Sequence, residues 1–492
     1  MRAHRFVCPT PRRARLAGLA FSSLLAAPIF AQTALDRARI PPPGPAPQLR
    51  VPSWTTVKLA NGATLVITPK RDLPLVNFAL NFVGGAANFE PKDKLGVAGF
   101  TSQMLSEGTP KRTADQLSEA QQMLGTTISA NVGQEGGSIG FTALKDRFEP
   151  ALGLVADMML NPAFPEAALE RIRGRAMVGL TQQRDQPNAI AANVFSKVTY
   201  GDVHPYGSVV TEATLKAITR DDVLAFHKAY FLPGRAIISV TGDVDPVAVK
   251  AAVEKAFASW PAGGERPAFD YPAPPAFKAR TIFLVDKPKA AQSVFALGVP
   301  GPARNTPDYY AVSVMNNILG QLFQSRLNHN IREEKGYSYG VNSSFAFGRG
   351  PGAFRAGGGI VTAKSDLALI EFMKEFRGVI GEKPFTDDEV TQGKESLIQS
   401  MPQRFSSVGA LGNAVAAIFT QDLPQTYYQD YAAKINAVTR EDLVRVAKKY
   451  IDIEHLNLVI VGDRAVIEAQ LRATGIAPIV LLDIDGRPAS VP

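Results

Sequence analysis

Hydrophobic and polar positions alternate on both sides of Asn61-Gly62 in VKLANGATLVI, which predicts a hairpin of two strands. Val97, Phe100 and Met104 then recur at helical spacing and predict a helix. A second helix is marked at its start by the capping box Thr113-x-x-Gln116 and at its end by Gly125. A helix over 222–230 and a strand over 235–241 follow. These patterns then repeat. ITRDDVLAFHKAYFLPGRAIISVTGD ends at Asp243, and VTREDLVRVAKKYIDIEHLNLVIVGD ends at Asp463. Thr219 matches Thr439, Tyr230 matches Tyr450 and Gly242 matches Gly462, each 220 residues apart. Phe78-Ala79-Leu80 matches Phe295-Ala296-Leu297 at an offset of 217. So long a period predicts two similar domains rather than a solenoid. Strands clustered with helices, without a βαβ rhythm, predict an α+β class, each domain a mostly antiparallel sheet packed with helices.

Composition refines the boundaries. Residues 1–31 carry five arginines, no acid before the apolar stretch Leu16–Phe30, and Ile29-Phe30-Ala31 as a cleavage site, which predicts a signal peptide. The apolar stretch is short for a membrane span and is broken by Ser22, Ser23 and Pro28. A proline-rich entry follows over 32–50. A second proline-rich stretch, 261–276, reads as a linker between a first domain (51–260) and a second (277–485). The chain of 492 residues has a net charge of +8, but removing the signal leaves 48 basic against 45 acidic residues. With no basic run left, nucleic acid drops out as a partner. Cleavage also removes Cys8, the only cysteine, so disulfides and cysteine-based zinc sites are excluded. The expectation is an exported protein without a membrane span, periplasmic if the cell is Gram-negative.

Three segments carry candidate chemistry: GVAGFTSQML (96–105), His204-Pro205-Tyr206-Gly207, and SRLNHNIREEKGYSYGV (325–341). Together with the duplicated layout they resemble the pitrilysin/insulinase family of zinc metallopeptidases, over about residues 50–480. Active members of that family carry H-x-x-E-H on the first of these segments. Two imidazoles on one helix face bind Zn²⁺, and the Glu takes a proton from the metal-bound water. A downstream Glu completes the ligands. The resemblance places Gly99 and Gln103 at the two His positions, Ser102 at the Glu and Gly179 at the third ligand. None supplies a comparable ligand, so no metal is expected in this chain. Gly99 inside a helix costs about 1 kcal/mol against Ala, and either relic geometry or close approach of another backbone would account for it. The remaining histidines, His204, His227, His329 and His455, never fall within one helical turn of each other and read as structural.

The resemblance implies a different outcome in the second half. It places Arg332 and Tyr339 on the family's substrate-binding pair, opposite the zinc. A guanidinium donates two hydrogen bonds in a fixed fork, and a tyrosine hydroxyl donates to a developing oxyanion. Leu327 to Lys335 is helix-compatible, Gly336 suits a helix end, and Tyr337–Val341 alternates as a strand. A structural role is the competing reading, with Arg332 paired to Glu333 or a helix-end carbonyl and Tyr339 in the core. The same spacing in the first half gives Gln121 and Ile128, so the pair exists once. GRGPGAFRAGGG (348–359) lacks the phosphate-loop pattern and reads as a mobile hairpin, and His204–Gly207 as a structural turn.

The functional expectation is a non-catalytic subunit of a heterodimeric peptidase, with no complete catalytic site of its own. It would lend Arg332 and Tyr339 to a related H-x-x-E-H chain that holds the zinc, for cleavage of peptides. The alternative is a peptide-binding or scaffold protein of the same fold. An independent hydrolase finds no support, since H-E-x-x-H is absent and no cysteine remains once the signal is removed.

Overall fold

A computed structural model describes residues 50–489. The signal segment, Cys8 and nearly all of the proline-rich entry fall outside the described residues. The chain builds two six-stranded sheets. In the first, β1 (Thr55–Lys58), β2 (Thr64–Pro69), β3 (Leu75–Val83), β4 (Ser129–Val132), β5 (Gly136–Leu144) and β6 (Ala236–Gly242) lie in the order β1-β2-β6-β3-β5-β4. In the second, β7 (Thr281–Asp286), β8 (Gln292–Pro300), β9 (Ser338–Phe345), β10 (Ala353–Val361), β11 (Asn457–Gly462) and β12 (Ile479–Leu482) lie in the order β12-β7-β11-β8-β10-β9. Seven of the ten strand pairings are antiparallel, and β2–β6, β7–β11 and β7–β12 are parallel. The class is α+β with two like halves.

Local chemistry explains the repeated parts. Gly62 takes φ +99° in the first hairpin, and Asn61 Oδ1 accepts from Ala63 N at 3.1 Å. Thr113 and Gln116 form the reciprocal capping box of the helix Ala114–Met123. Thr219 and Thr439 cap their helices alike, accepting from Asp222 N at 3.2 Å and Asp442 N at 3.1 Å. The halves differ at one sheet edge. The first is closed by the N-terminal hairpin strand β1, antiparallel to β2, and the second by the C-terminal strand β12, parallel to β7.

The halves also interlock. The helix Pro187–Tyr200, from the first half, lays Ile190, Ala191, Val194 and Phe195 on β8 and β11. The helix Val408–Thr420, from the second, crosses β3 and β6, where Ser239 Oγ donates to the Gly412 carbonyl at 3.3 Å. Each sheet therefore buries apolar surface under a helix from the other half, and the described residues form one compact unit. Residues 261–280, between the sheets, contain no helix or strand and are mostly exposed, but Tyr271 among them packs against the first half. Tyr271 sits 5.6 and 5.3 Å from the rings of His204 and Tyr206.

The GRGPGAFRAGGG segment is not a mobile hairpin. Its second half is β10, paired on both sides, and a β-carbon on Gly357 would collide with the Phe295 carbonyl. The glycines are there to admit a neighbouring strand. Its first half is anchored by Glu135, whose carboxylate accepts from Arg349 N at 2.8 Å and from the Tyr206 hydroxyl. Tyr206 belongs to the His204–Gly207 turn, in which buried His204 accepts from Tyr206 N at 3.0 Å.

Candidate functional site

The helix Val97–Met104 carries the first group of candidate positions and packs against the helix Glu166–Asp185, which carries Gly179. No atom outside the local helix lies within 4 Å of where a β-carbon on Gly99 would stand, and the same holds at Gly179. Close approach of another backbone is therefore not what keeps Gly99 small. Ser102 Oγ and Gln103 Nε2 both turn back to the Gly99 carbonyl, at 3.0 and 3.2 Å. A hydroxyl and an amide spent on their own helix, beside two side-chain-free positions, do not form a zinc site. Among the described residues no group of three or more His, Cys, Asp or Glu is placed to hold a metal ion.

The four described histidines have local partners. His204 caps its turn, and His227 Nε2 meets the Met159 carbonyl at 2.7 Å. Burial pushes the pKa of both below the usual range, and for His227 the Met159 bond opposes the shift. His329 lies beside Glu333 and Glu334, and His455 beside Asp452.

The second group is differently placed. Residues Asn328–Glu334 wind as a π-helix, with Lys335 N bonding to the Asn330 carbonyl at 3.0 Å. Gly336 ends it with φ +65°. The side chain of Arg332 makes no ion pair with any described residue. Glu333 and Glu334, the obvious partners, turn to His329 at 3.3 and 3.2 Å. The guanidinium instead lies over the ring of Phe323, 4.2 Å from its centroid. Phe323 is itself 63 % exposed, on the loop between the π-wound segments Asn317–Gln321 and Asn328–Glu334. This stacking fixes the plane of the fork while leaving its donors free.

Tyr339 is 90 % exposed and not part of the core. A β-bulge displays it. Ser338 pairs with Ile360 and Val341 with Gly358, so two residues of β9, Tyr339 and Gly340, face one of β10. Ser338 pins the bulge, donating to the Gly359 carbonyl at 2.6 Å and accepting from Gly340 N at 3.0 Å. Arg332 and Tyr339 thus leave one helix–glycine–strand corner with free donors. The structural reading of the pair, an ion pair plus a core tyrosine, is the one the geometry overturns. Phe323 was not singled out by the sequence. Its only signal there is an aromatic residue two positions before SRLNHNIREEKGYSYGV.

The first half repeats the corner without the side chains. Gly125 takes φ +62°, Gln121 Oε1 accepts from Ile128 N at 2.7 Å, and Ile128 is buried.

Comparisons with known proteins agree with this architecture. The model of the insulinase family (peptidase family M16) matches residues 66–205, and that of the peptidase M16 inactive domain matches 217–397. The zinc protease YmxG of Bacillus subtilis is 27% identical over 344 residues, 69% of this chain and 82% of that protein. A zinc protease of Rickettsia felis is 25% identical over 400 residues, 80% of this chain and 93% of that one. A crystal structure of a peptidase M16 inactive domain from Pseudomonas fluorescens superposes with a TM-score of 0.76 at 26% identity, covering 83% of this chain and 98% of that one. A protease from Helicobacter pylori shares the fold, with a TM-score of 0.75 at 20% identity over 84% of this chain and 100% of that one. The duplicated sheets and the matched models place this chain in peptidase family M16, with the inactive-type domain fold.

Proposed function

We propose that this chain is the non-catalytic subunit of a two-chain zinc peptidase and lends Arg332 and Tyr339 to a partner that holds the metal. The observation that carries the proposal is the state of the pair: Arg332 held only by a ring face and Tyr339 raised on a bulge, both with unspent donors. A half-exposed cation without a counterion and a tyrosine turned out of the core gain nothing for this chain's own stability. They suit a peptide carbonyl brought from outside. The partner is a related M16 chain with H-x-x-E-H, the substrates are peptides, and the complex works after export, in the periplasm if the cell is Gram-negative. Among the described residues no helix is long and apolar enough to cross a membrane.

Within this chain, Arg332 would orient the substrate backbone through two parallel N–H donors, and Tyr339 would donate its hydroxyl to the carbonyl oxygen as charge develops. Such a donor is worth about 10²–10³ in rate. Phe323 would act as a positioning residue for Arg332. The test is to purify this chain and a related H-x-x-E-H chain from the same organism and follow cleavage of an unstructured fluorogenic peptide. The chain alone should be inactive, and the mixture should exceed the partner alone by at least the factor above. A mixture no faster than the partner alone would leave the peptide-binding or scaffold role as the better reading.

A further inference from the structure

A cavity of about 590 Å³ lies between the halves, away from Arg332 and Tyr339. Its size is that of a ligand site. The first sheet contributes Asn81, Asn131 and Ser138, and the second half contributes Arg304. An ion pair and a carboxylate also border it, and both are spent. Arg349 pairs with Asp422 at 2.7 Å and lies over Phe269. Glu135 takes the Arg349 and Gly350 N–H groups and the Tyr206 hydroxyl. Arg304 differs. Its guanidinium makes no hydrogen bond or ion pair with any described residue. It is backed by two aromatic faces, Tyr309 at 3.5 Å and Tyr427 at 5.2 Å from the ring centroids.

We infer that this cavity binds a peptide carboxylate on Arg304. The aromatic backing holds the guanidinium plane and turns its N–H fork toward the open space, the geometry for a bidentate carboxylate. The remaining lining favours one negative charge over two. Glu135, whose partners are all uncharged, would repel a phosphate dianion more than a single carboxylate, while one unpaired Arg balances one carboxylate. The amide of Asn131 and the hydroxyl of Ser138 offer both donors and acceptors to a peptide backbone, and Asn81, whose Nδ2 donates to the Ala79 and Ile237 carbonyls, offers its Oδ1 as an acceptor. The carboxylate is a chain terminus or an acidic side chain. The inference concerns this chain alone and does not depend on the two-chain proposal.

The test uses the purified chain without partner and three N-terminally dansylated peptides followed by fluorescence anisotropy. These are tetra-alanine with a free C-terminus, its C-terminal amide, and the amide with Glu at the third position. One or both acidic peptides should bind at least about tenfold more tightly than the neutral amide, the equivalent of about 1.4 kcal/mol. Preference for the first assigns the terminus, and preference for the third the side chain. Arg304→Gln should erase the preference and Arg304→Lys should keep part of it, with unchanged melting temperature as the control on folding. Equal binding of the three by the unmodified chain, no binding at all, or a preference that survives in Arg304→Gln would overturn the inference.

Discussion

The corner at Gly125 and the corner at Gly336 share a backbone and differ in what they do with it. Both end a helix at a glycine with φ near +60° and lead to the outer strand of a sheet. In the first, Gln121 folds back to cap Ile128 N, and Ile128 enters the core. In the second, Arg332 rests on Phe323 and Tyr339 stands in solvent. Two changes separate them: a β-bulge that re-aims Tyr339, and π-winding that ends the helix differently. The duplicated scaffold supplies a place for a pair of donors, and only local irregularity in the second copy puts side chains there that are free to act. The positions that the family resemblance assigns to the metal show the reverse: the helix is present and open space surrounds Gly99 and Gly179, but no ligand side chain stands there.

If the first half lost only side chains, restoring them should restore metal binding, the largest effect expected. Gly99→His, Gln103→His and Gly179→Glu together should take the chain from no measurable zinc to one equivalent, read by atomic absorption after gel filtration. A folded triple variant without zinc would mean that the helix geometry has drifted as well. The two corners should next separate in stability. Ile128→Ala should cost about 2–5 kcal/mol, as a core truncation does. Tyr339→Ala should fall within about 0.5 kcal/mol of the parent in urea unfolding, as an exposed residue does. Comparable losses at both sites would put Tyr339 back in a structural role.

The shared backbone predicts a shared cost. Gly125→Ala and Gly336→Ala both force a side chain into the left-handed region and should each lose about 1–2 kcal/mol. A large inequality would show that the corners are not equivalent. A smaller contrast concerns pH. Each half sets a carboxylate at the start of its corresponding helix. Burial holds the Glu90 pKa above its ordinary value, even though Gly96 N and Ala98 N donate to it. Burial acts on Asp308 in the same direction, but Lys449, Arg445 and Tyr450 outweigh it and hold the group at about 2, below the ordinary 3.8. A lowered folded pKa gives stability that is present above pH 3.8 and lost as pH falls toward 2. Asp308→Asn should therefore flatten the fall in melting temperature over that window. Glu90→Gln should act with the opposite sign, raising stability at neutral pH relative to acid.

Much of this was legible where the determinants are local. Asn61-Gly62, the Thr113–Gln116 box, the Thr219 and Thr439 caps and the terminating glycines act within a few residues, and the sequence shows them directly. The residue types at Gly99, Ser102, Gln103 and Gly179 are legible directly, and a zinc site requires particular side chains at particular spacings. What could not be read depends on distant partners. Alternation in Tyr337–Val341 suggests a regular strand, and the bulge at Tyr339-Gly340 exists only in register with β10. Glycine is depleted in strands, so GRGPGAFRAGGG reads as a mobile hairpin, whereas the Phe295 carbonyl beside Gly357 shows why bulk is excluded there. Phe323 and Arg332 meet across a loop, and the exchange of helices between halves joins residues hundreds apart in the chain.

The central claim is that the pair acts on a site this chain does not itself contain. The most direct measurement is peptide hydrolysis by the reconstituted two-chain complex, comparing the parent with the double variant Arg332→Ala, Tyr339→Phe at matched complex concentration. The account predicts that the complex still forms, since both side chains are free of internal contacts that hold the fold, and that the rate drops by at least about 10²-fold. A double variant that assembles and cleaves at the parent rate would contradict it.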